Sequence, residues 1–316
     1  MIYRNFGKLG WQVSAIGLGT WNIGNQWGEV DDATAFSTVR SAFEHGVNIY
    51  DSAESYGIPN GLSEERLGSA LVGIRHRVIV VTKTGHWGER TGQGVPRNSV
   101  DMIRLCVHAS LFRLKTDWLD VILCHESEIQ NPDVYLAGFE NLKQTGHIRA
   151  YGISTNNLSI LKRFNVNHTC SVVQVDYSLL NRKPEEEFLP YCQENGIAVM
   201  VRGPLAQGLL SGKYSAQSTF SDSIRSRWNE GGNQREFFLR SIQAVEALSK
   251  HLSTTEKNLA TIALKYVISH PVNPVAIPGA KSPQQSIANA EAGDSILTEP
   301  EIKKLISTMN NNTVIQ

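Results

Sequence analysis

Four side chains, Asp51, Tyr56, Lys83 and His125, stand at or just beyond the ends of short apolar runs. "VNIY" leads into Asp51 and then Tyr56, "VIVVT" leads into Lys83, and "VILC" leads into His125. Singly, each has a plain explanation: a turn-forming Asp, a solvated Lys, a structurally satisfied His. Together their chemistry is complementary. An oxygen that is receiving electrons needs an acid beside it. A phenol is a poor acid near neutrality, with an ordinary pKa of about 10. A neighbouring ammonium stabilises the phenolate and lowers that value. Each unit of lowering takes about 1.4 kcal/mol. A carboxylate holds the ammonium in place and keeps it charged. An imidazole adds a hydrogen bond to the oxygen. Tyr56, Lys83, Asp51 and His125 supply one role each, the set needed to reduce a carbonyl when a hydride donor is present.

Positioning them requires strands that end on a common rim. Apolar runs recur as "AIGLG" at 15, "VNIY" at 47, "VIVV" at 78, "LDVILC" at 119, "IRAYGIS" at 148, "SVVQVD" at 171, "IAVMVR" at 197 and "PVAIPG" at 274. They are rich in Val and Ile and do not alternate with polar residues, as strands buried on both faces should not. Gln174 lies in the sixth. Helical periodicity fills the gaps. "DDATAFSTVRSAFEHG" places Ala33, Phe36, Val39, Ala42 and Phe43 on one stripe and stops at Gly46. "RNSVDMIRLCVHASLFRLK" does the same with Val100, Ile103, Val107, Leu111 and Leu114. "EEEFLPYCQENG" and "QQSIANAEAG" also end at glycine, and "STTEKNLATIALKYVISH" patterns as a helix before the eighth strand.

Eight strand–helix units with no dividing linker predict one closed (β/α)8 barrel, a TIM barrel, over residues 1–316. An open doubly wound sheet would want GxGxxG after the first strand, which "GLGTWNIG" does not provide. Barrel active sites lie at the C-terminal ends of the strands, where the four residues fall. "IYRNFGKLGWQVS" reads as an opening hairpin turning around Gly7 to Gly10. Residues 211–238 form a long polar connection after the seventh strand, of a length expected to be functional, as a lid.

Composition narrows the partners. The 316 residues carry 30 basic and 30 acidic side chains, so no nucleic acid or anionic membrane surface is favoured. The acidic run Glu185–Glu187 reads as a solvated helix start. Cys106, Cys124, Cys170 and Cys192 form no CxxC pair and read as reduced, buried thiols of a cytoplasmic protein. No run reaches the roughly 18 apolar residues of a membrane helix, and no signal peptide is expected. A metal centre would need clustered His or carboxylate ligands. His86 and His125 are available, but Lys83 beside them would repel a cation, and no metal is expected.

"GVNIYDSAESYG", "VIVVTK" and "DVILCH" resemble the aldo-keto reductase motifs that carry a catalytic Asp, Tyr, Lys and His. The resemblance continues through "GHIRAYGIS", "VVQVDYSLLNR", "PLAQGLLSGKY" and "VAIPGAKSPQQSIANA", spanning nearly the whole chain. The connection after strand seven is similar to the bacterial and potassium-channel-beta-like branches. The resemblance implies a TIM barrel that binds NADPH extended, with NADH as the alternative, and reduces small aldehydes or ketones. It implies Asp51, Tyr56, Lys83 and His125 as the catalytic set. The alternative it leaves is a cofactor-sensing subunit with slow redox chemistry.

The implied cofactor contacts are spread around the rim. Gly19, Thr20 and Trp21 sit at the nicotinamide end with Asp51. Ser154 and Gln174 match carboxamide-binding positions, with Thr155 where the family usually has Asn. Arg202 stands where an aromatic residue often stacks on the nicotinamide. Gly203, Pro204, Leu205, Gln207, Gly208, Leu209 and Ser211 would wrap the pyrophosphate, with Lys213 beyond them. Gly279, Lys281, Ser282, Gln285 and Asn289 would hold the adenosine end, its 2′-phosphate near a helix N-terminus. Gln285 falls where many members carry Arg. Trp21, Tyr56, His86, Trp87 and His125 suggest an aromatic-walled substrate mouth.

Overall fold

Residues 1–86, 94–251 and 258–312 are described by the structure, a computed structural model. Trp87, expected at the substrate mouth, lies outside them. The chain opens with strands β1 (Tyr3–Asn5) and β2 (Gln12–Ser14), paired antiparallel with Arg4 opposite Val13. A 3-10 turn at Gly7–Leu9 and a left-handed Gly10 make the reversal, as the sequence predicts.

Eight parallel strands follow: β3 (Leu18–Gly19), β4 (Ile49–Asp51), β5 (Ile79–Thr84), β6 (Leu119–Cys124), β7 (Ile148–Ser154), β8 (Val172–Asp176), β9 (Ala198–Arg202) and β10 (Val275–Ala276). Each pairs with its neighbour in chain order. The sheet closes through parallel bridges from Ile16 to Ala276 and from Gly19 to Gly279. Closure brings backbones close, and a Cβ on Gly19 would lie 2.8 Å from the Ile277 carbonyl oxygen.

The interior of the barrel is a core of its own. Phe6 and Val13 of the hairpin pack against Ile49, Ile79, Val81, Val121, Leu123, Val172, Ala198 and Met200. The hairpin thus plugs the N-terminal end. Side chains alternate along a strand with a period of two. The inward series Ile49–Asp51, Val81–Lys83, Leu123–His125, Val172–Gln174 and Met200–Arg202 therefore all reach the C-terminal mouth. The same alternation that fills the bottom of the barrel with aliphatic groups delivers polar ones to its top.

A second core joins the strands to the surrounding helices, α1 (Asp32–Glu44), α2 (Leu62–Ala70), α3 (Val100–Leu114), α4 (Asp133–Gln144), α5 (Leu158–Phe164), α6 (Phe188–Glu194), α7 (Arg235–His251), α8 (Leu259–Ile268), α9 (Pro283–Glu291) and α10 (Glu299–Asn312). Asp31 caps α1 by accepting from the Thr34 N–H at 2.7 Å. Of the expected stripe, Val39 and Ala42 are buried and Phe36 and Phe43 pack partly buried against the core, while Ala33 is exposed and Ala35 and Thr38 are buried in addition. Glu186 and Glu187 are solvated as expected, but Glu185 accepts from the Tyr177 and Tyr266 hydroxyls.

Residues 211–238 are less open than their polarity suggests. Phe220, Trp228 and Phe238 pack with Leu209 and Ile242 into a separate aromatic cluster, and α7 already begins at Arg235. α10 completes the wall through Leu305 and Met309. All four cysteines are free and buried. No helix among the described residues is long and apolar enough to cross a membrane.

The tightest strand contact is at Gly152, where an added Cβ would lie 1.6 Å from the Val172 carbonyl oxygen. Gly152→Ala should therefore push β7 from β8 and lower stability by about 3 kcal/mol. Thermal unfolding checks this, and an unchanged melting temperature would contradict it.

Candidate active site

β5 carries Lys83 into the mouth, and the residue is fully buried. Its three ammonium protons are all spoken for. Nζ donates to Asp51 Oδ2 at 2.8 Å, to the Ser52 carbonyl at 2.7 Å and to the Tyr56 hydroxyl at 3.1 Å. Asp51 is 2% exposed, and its Oδ1 accepts from Gln174 Nε2 at 2.7 Å. That fixes the Gln174 amide from one side. Its Oε1 is buried and has no hydrogen-bond partner among the described residues.

Tyr56 is brought to Lys83 by the turn that follows β4. Its ring stacks on Trp21, with centroids 5.5 Å apart, and lies 6.0 Å from the His125 ring. His86 lies 4.7 Å beyond, edge-on to His125. Because Lys83 donates to the phenol oxygen, the phenol's own proton stays free for an acceptor in the mouth.

Burial governs the protonation states. It pushes the Tyr56 phenol above its usual value, against the downward pull of Lys83. The expectation of a net lowering is thus corrected: the ammonium is placed as expected, but loss of solvent outweighs it. Tyr56 therefore holds its proton at neutral pH, and Lys83 offsets part of the cost of releasing it. For Lys83 itself, burial pulls down, but Asp51 and Tyr56 together hold it above the ordinary lysine value. Burial raises Asp51, opposed by Lys83 and Gln174. His125 is driven well below the ordinary imidazole value by burial, then by Lys83 and His86. It is a neutral ring, and its Nδ1 has no partner among the described residues.

The other candidates divide into two groups. Gly19, Trp21, Ser154 and Gln174 lie around Asp51 and Lys83 at the strand ends. Arg202 ends β9 and is held by Asn156 Oδ1 at 3.0 Å and Asp176 at 3.5 Å. The segment from Gly203 through Pro204 and Leu205 to Ser211 curls tightly, with Gly203, Gln207 and Gly208 at positive φ. Lys213 beyond it is exposed.

The second group has side chains that also bond within the fold. Thr20 Oγ1 donates to the Asp51 carbonyl. Thr155 Oγ1 donates to the Ser127 carbonyl at 2.7 Å, so the hydroxyl at this position serves the loop. Gln207 accepts from Arg227, and Leu209 is buried in the aromatic cluster. Ser282 caps α9. Gln285 folds back to accept the Lys281 N–H at 2.9 Å, and Asn289 donates to the Gly279 carbonyl at 3.3 Å. Lys281 Nζ reaches the Trp27 carbonyl at 2.8 Å.

Two features escaped sequence reasoning. Trp27 packs edge-on to Trp21 and under the Arg225 guanidinium at 5.5 Å, joining the loops after β3 and β9. Glu54, fully buried between Asp51 and Tyr56, is bonded to the loop after β5. The carboxylate inside "DSAESYG" gave no signal of burial, because the turn around it is small and mostly polar.

The aldo/keto reductase family model matches residues 15–309. The chain belongs to the aldo/keto reductase family. It is 33% identical to aldo-keto reductase YhdN of Bacillus subtilis, over 99% of this chain and 95% of that one. It is 31% identical to the NADH-specific methylglyoxal reductase of Escherichia coli, over 89% of this chain and 90% of that one. Among solved structures, an aldo-keto reductase from Klebsiella pneumoniae in complex with NADPH superposes with a TM-score of 0.71 at 29% identity, covering 96% of this chain and 94% of that one.

His125 sets a pH signature for this family member. A folded-state pKa below the unfolded value of about 6.5 stabilises the protein above that pH, and the stability is lost as pH falls. The loss is up to about 1.4 kcal/mol per pH unit below about 6.5, until the folded value is reached. Melting temperatures at pH 7 and 5 should fall less in His125→Asn than in the wild type. An equal fall would mean that the ring is not held neutral.

Proposed function

We propose that this protein reduces aldehydes or ketones with NADPH, and that Tyr56 is the acid that protonates the carbonyl oxygen. The observation that carries the reading is the 3.1 Å contact from Lys83 Nζ to the Tyr56 hydroxyl, with Asp51 behind it. Carbonyl reduction leaves negative charge on oxygen, and stabilising that charge with preset donors is usually the largest single contribution to such catalysis.

The residues fit a nicotinamide. Gln174 Oε1 is a buried acceptor lacking a partner among the described residues, as a carboxamide NH2 would require, and the buried Ser154 ends the neighbouring strand β7. NADPH, when bound, supplies a hydride. The protein's own part is to hold the carbonyl and to move one proton. Tyr56 gives its proton to the oxygen, and Lys83 stabilises the phenolate left behind. Asp51 keeps the ammonium aimed and charged. The neutral His125 ring donates an N–H to the same oxygen without competing for the proton. Trp21 fixes the phenol ring by stacking, and His86 with Trp21 gives the mouth an aromatic wall suited to small or aromatic carbonyls.

For the adenosine end, Lys281 and Lys213 supply cationic charge, which favours the extra phosphate of NADPH over NADH. The Klebsiella pneumoniae relative holds NADPH and the Escherichia coli relative is NADH-specific, so both cofactors belong in the test.

Tyr56→Phe should retain NADPH binding, followed by quenching of protein fluorescence, while turnover of an aldehyde panel falls by roughly 10²- to 10⁴-fold. Undiminished turnover would remove Tyr56 from this role. Lys281→Met should weaken NADPH binding by about tenfold or more and leave NADH binding unchanged. An equal loss for both would place Lys281 in a structural role.

A further inference from the structure

Glu54 is a fully buried carboxylate two residues before Tyr56. A carboxylate out of water is tolerated when donors surround it. Its Oε1 accepts the Gly85 N–H at 2.6 Å, the His86 N–H at 3.1 Å and Arg97 Nη2 at 2.7 Å. Its Oε2 accepts from Thr84 Oγ1 at 3.1 Å. Its own backbone N–H donates to the Lys83 carbonyl at 3.1 Å. Glu54 therefore grips four consecutive residues, from Lys83 to His86.

The gripped turn is held from its other side by His125, whose N–H donates to the Thr84 carbonyl at 2.8 Å. The fit is close: a Cβ on Gly85 would lie 3.0 Å from His125 Cβ and 3.0 Å from the Glu126 nitrogen. His86 emerges from this clamp with its ring against His125. We infer that Glu54 is a positioning residue which, through its bonds to the Gly85 and His86 N–H groups, sets the two imidazoles against Tyr56 and so determines how well the carbonyl substrate is held. This rests on the proposed reduction at Tyr56. Oε1 serves the turn and Arg97 together, so what substitution can vary independently is the reach of that oxygen and the charge it carries.

Two substitutions separate them. Glu54→Gln keeps an oxygen at the right reach but leaves Arg97 without its carboxylate. Glu54→Asp keeps the charge but withdraws the oxygen by one methylene. With NADPH saturating and 4-nitrobenzaldehyde as probe, Glu54→Asp should raise KM about tenfold or more, with kcat within about threefold. Glu54→Gln should keep KM within about threefold although its melting temperature drops. In a His86→Ala background the KM effect of Glu54→Asp should shrink, because part of it acts through the His86 ring and the two changes are then less than additive. A larger KM for Gln than for Asp, or additive effects in the double variant, would overturn the inference. A readout independent of turnover guards against failure of the functional reading. In ligand-free protein, the ring resonances of His86 and His125 should shift in Glu54→Asp and stay in place in Glu54→Gln. Unmoved resonances in the Asp variant would dismiss the positioning role whatever the activity. Loss of reduction dependence on Tyr56 with shifted resonances would instead dismiss only the assigned reaction.

Discussion

An ammonium ion sealed inside the barrel mouth is the constraint around which the rest is arranged. Removing both Lys83 and Asp51 from water costs several kcal/mol per ion, and their attraction repays this only when every remaining donor and acceptor is matched. Here the matching is complete on the Lys83 side, with three donors and three acceptors. It continues on the Asp51 side through Gln174. Such a pair is a poor source of stability compared with a well-packed aliphatic core, but it leaves very little freedom of orientation. A phenol set against it inherits that fixed geometry.

The barrel makes this arrangement affordable by dividing its interior. The lower half, plugged by Phe6 and Val13, is aliphatic and supplies burial. The upper half takes the polar residues from the same inward-facing rows. The desolvation that makes Tyr56 a weaker acid in the free protein is also what lets Lys83 act on it strongly, because both follow from the low local dielectric. Stability and chemistry are thus two readings of one burial gradient along the barrel axis.

Much of this was legible in the residues. Runs such as "LDVILC" and "IRAYGIS" are strands over the spans read from them, because Val and Ile buried on both faces leave a strong signal. Asp51, Lys83, His125 and Gln174 could be picked out because a polar residue ending an apolar row has to face something. Other features depend on partners that no local pattern encodes. Thr155 donates to the Ser127 carbonyl, distant in the chain, while Ser282 and Gln285 bond nearby backbone N–H groups. The sign of the Tyr56 shift depends on the depth of burial, which only the assembled mouth defines. α10 was missed because "EPEIKKLISTMNNN" is largely polar, and its apolar positions become meaningful only against the rest of the wall.

The plugged lower end has a consequence for turnover. With Phe6 and Val13 closing the barrel beneath Lys83, bulk water has no route to the phenol from below. Under the proposed reduction, the hydrogen ion that Tyr56 surrenders is replenished down the same opening through which the alcohol leaves. On that reading, product departure and recharging of the acid share one doorway.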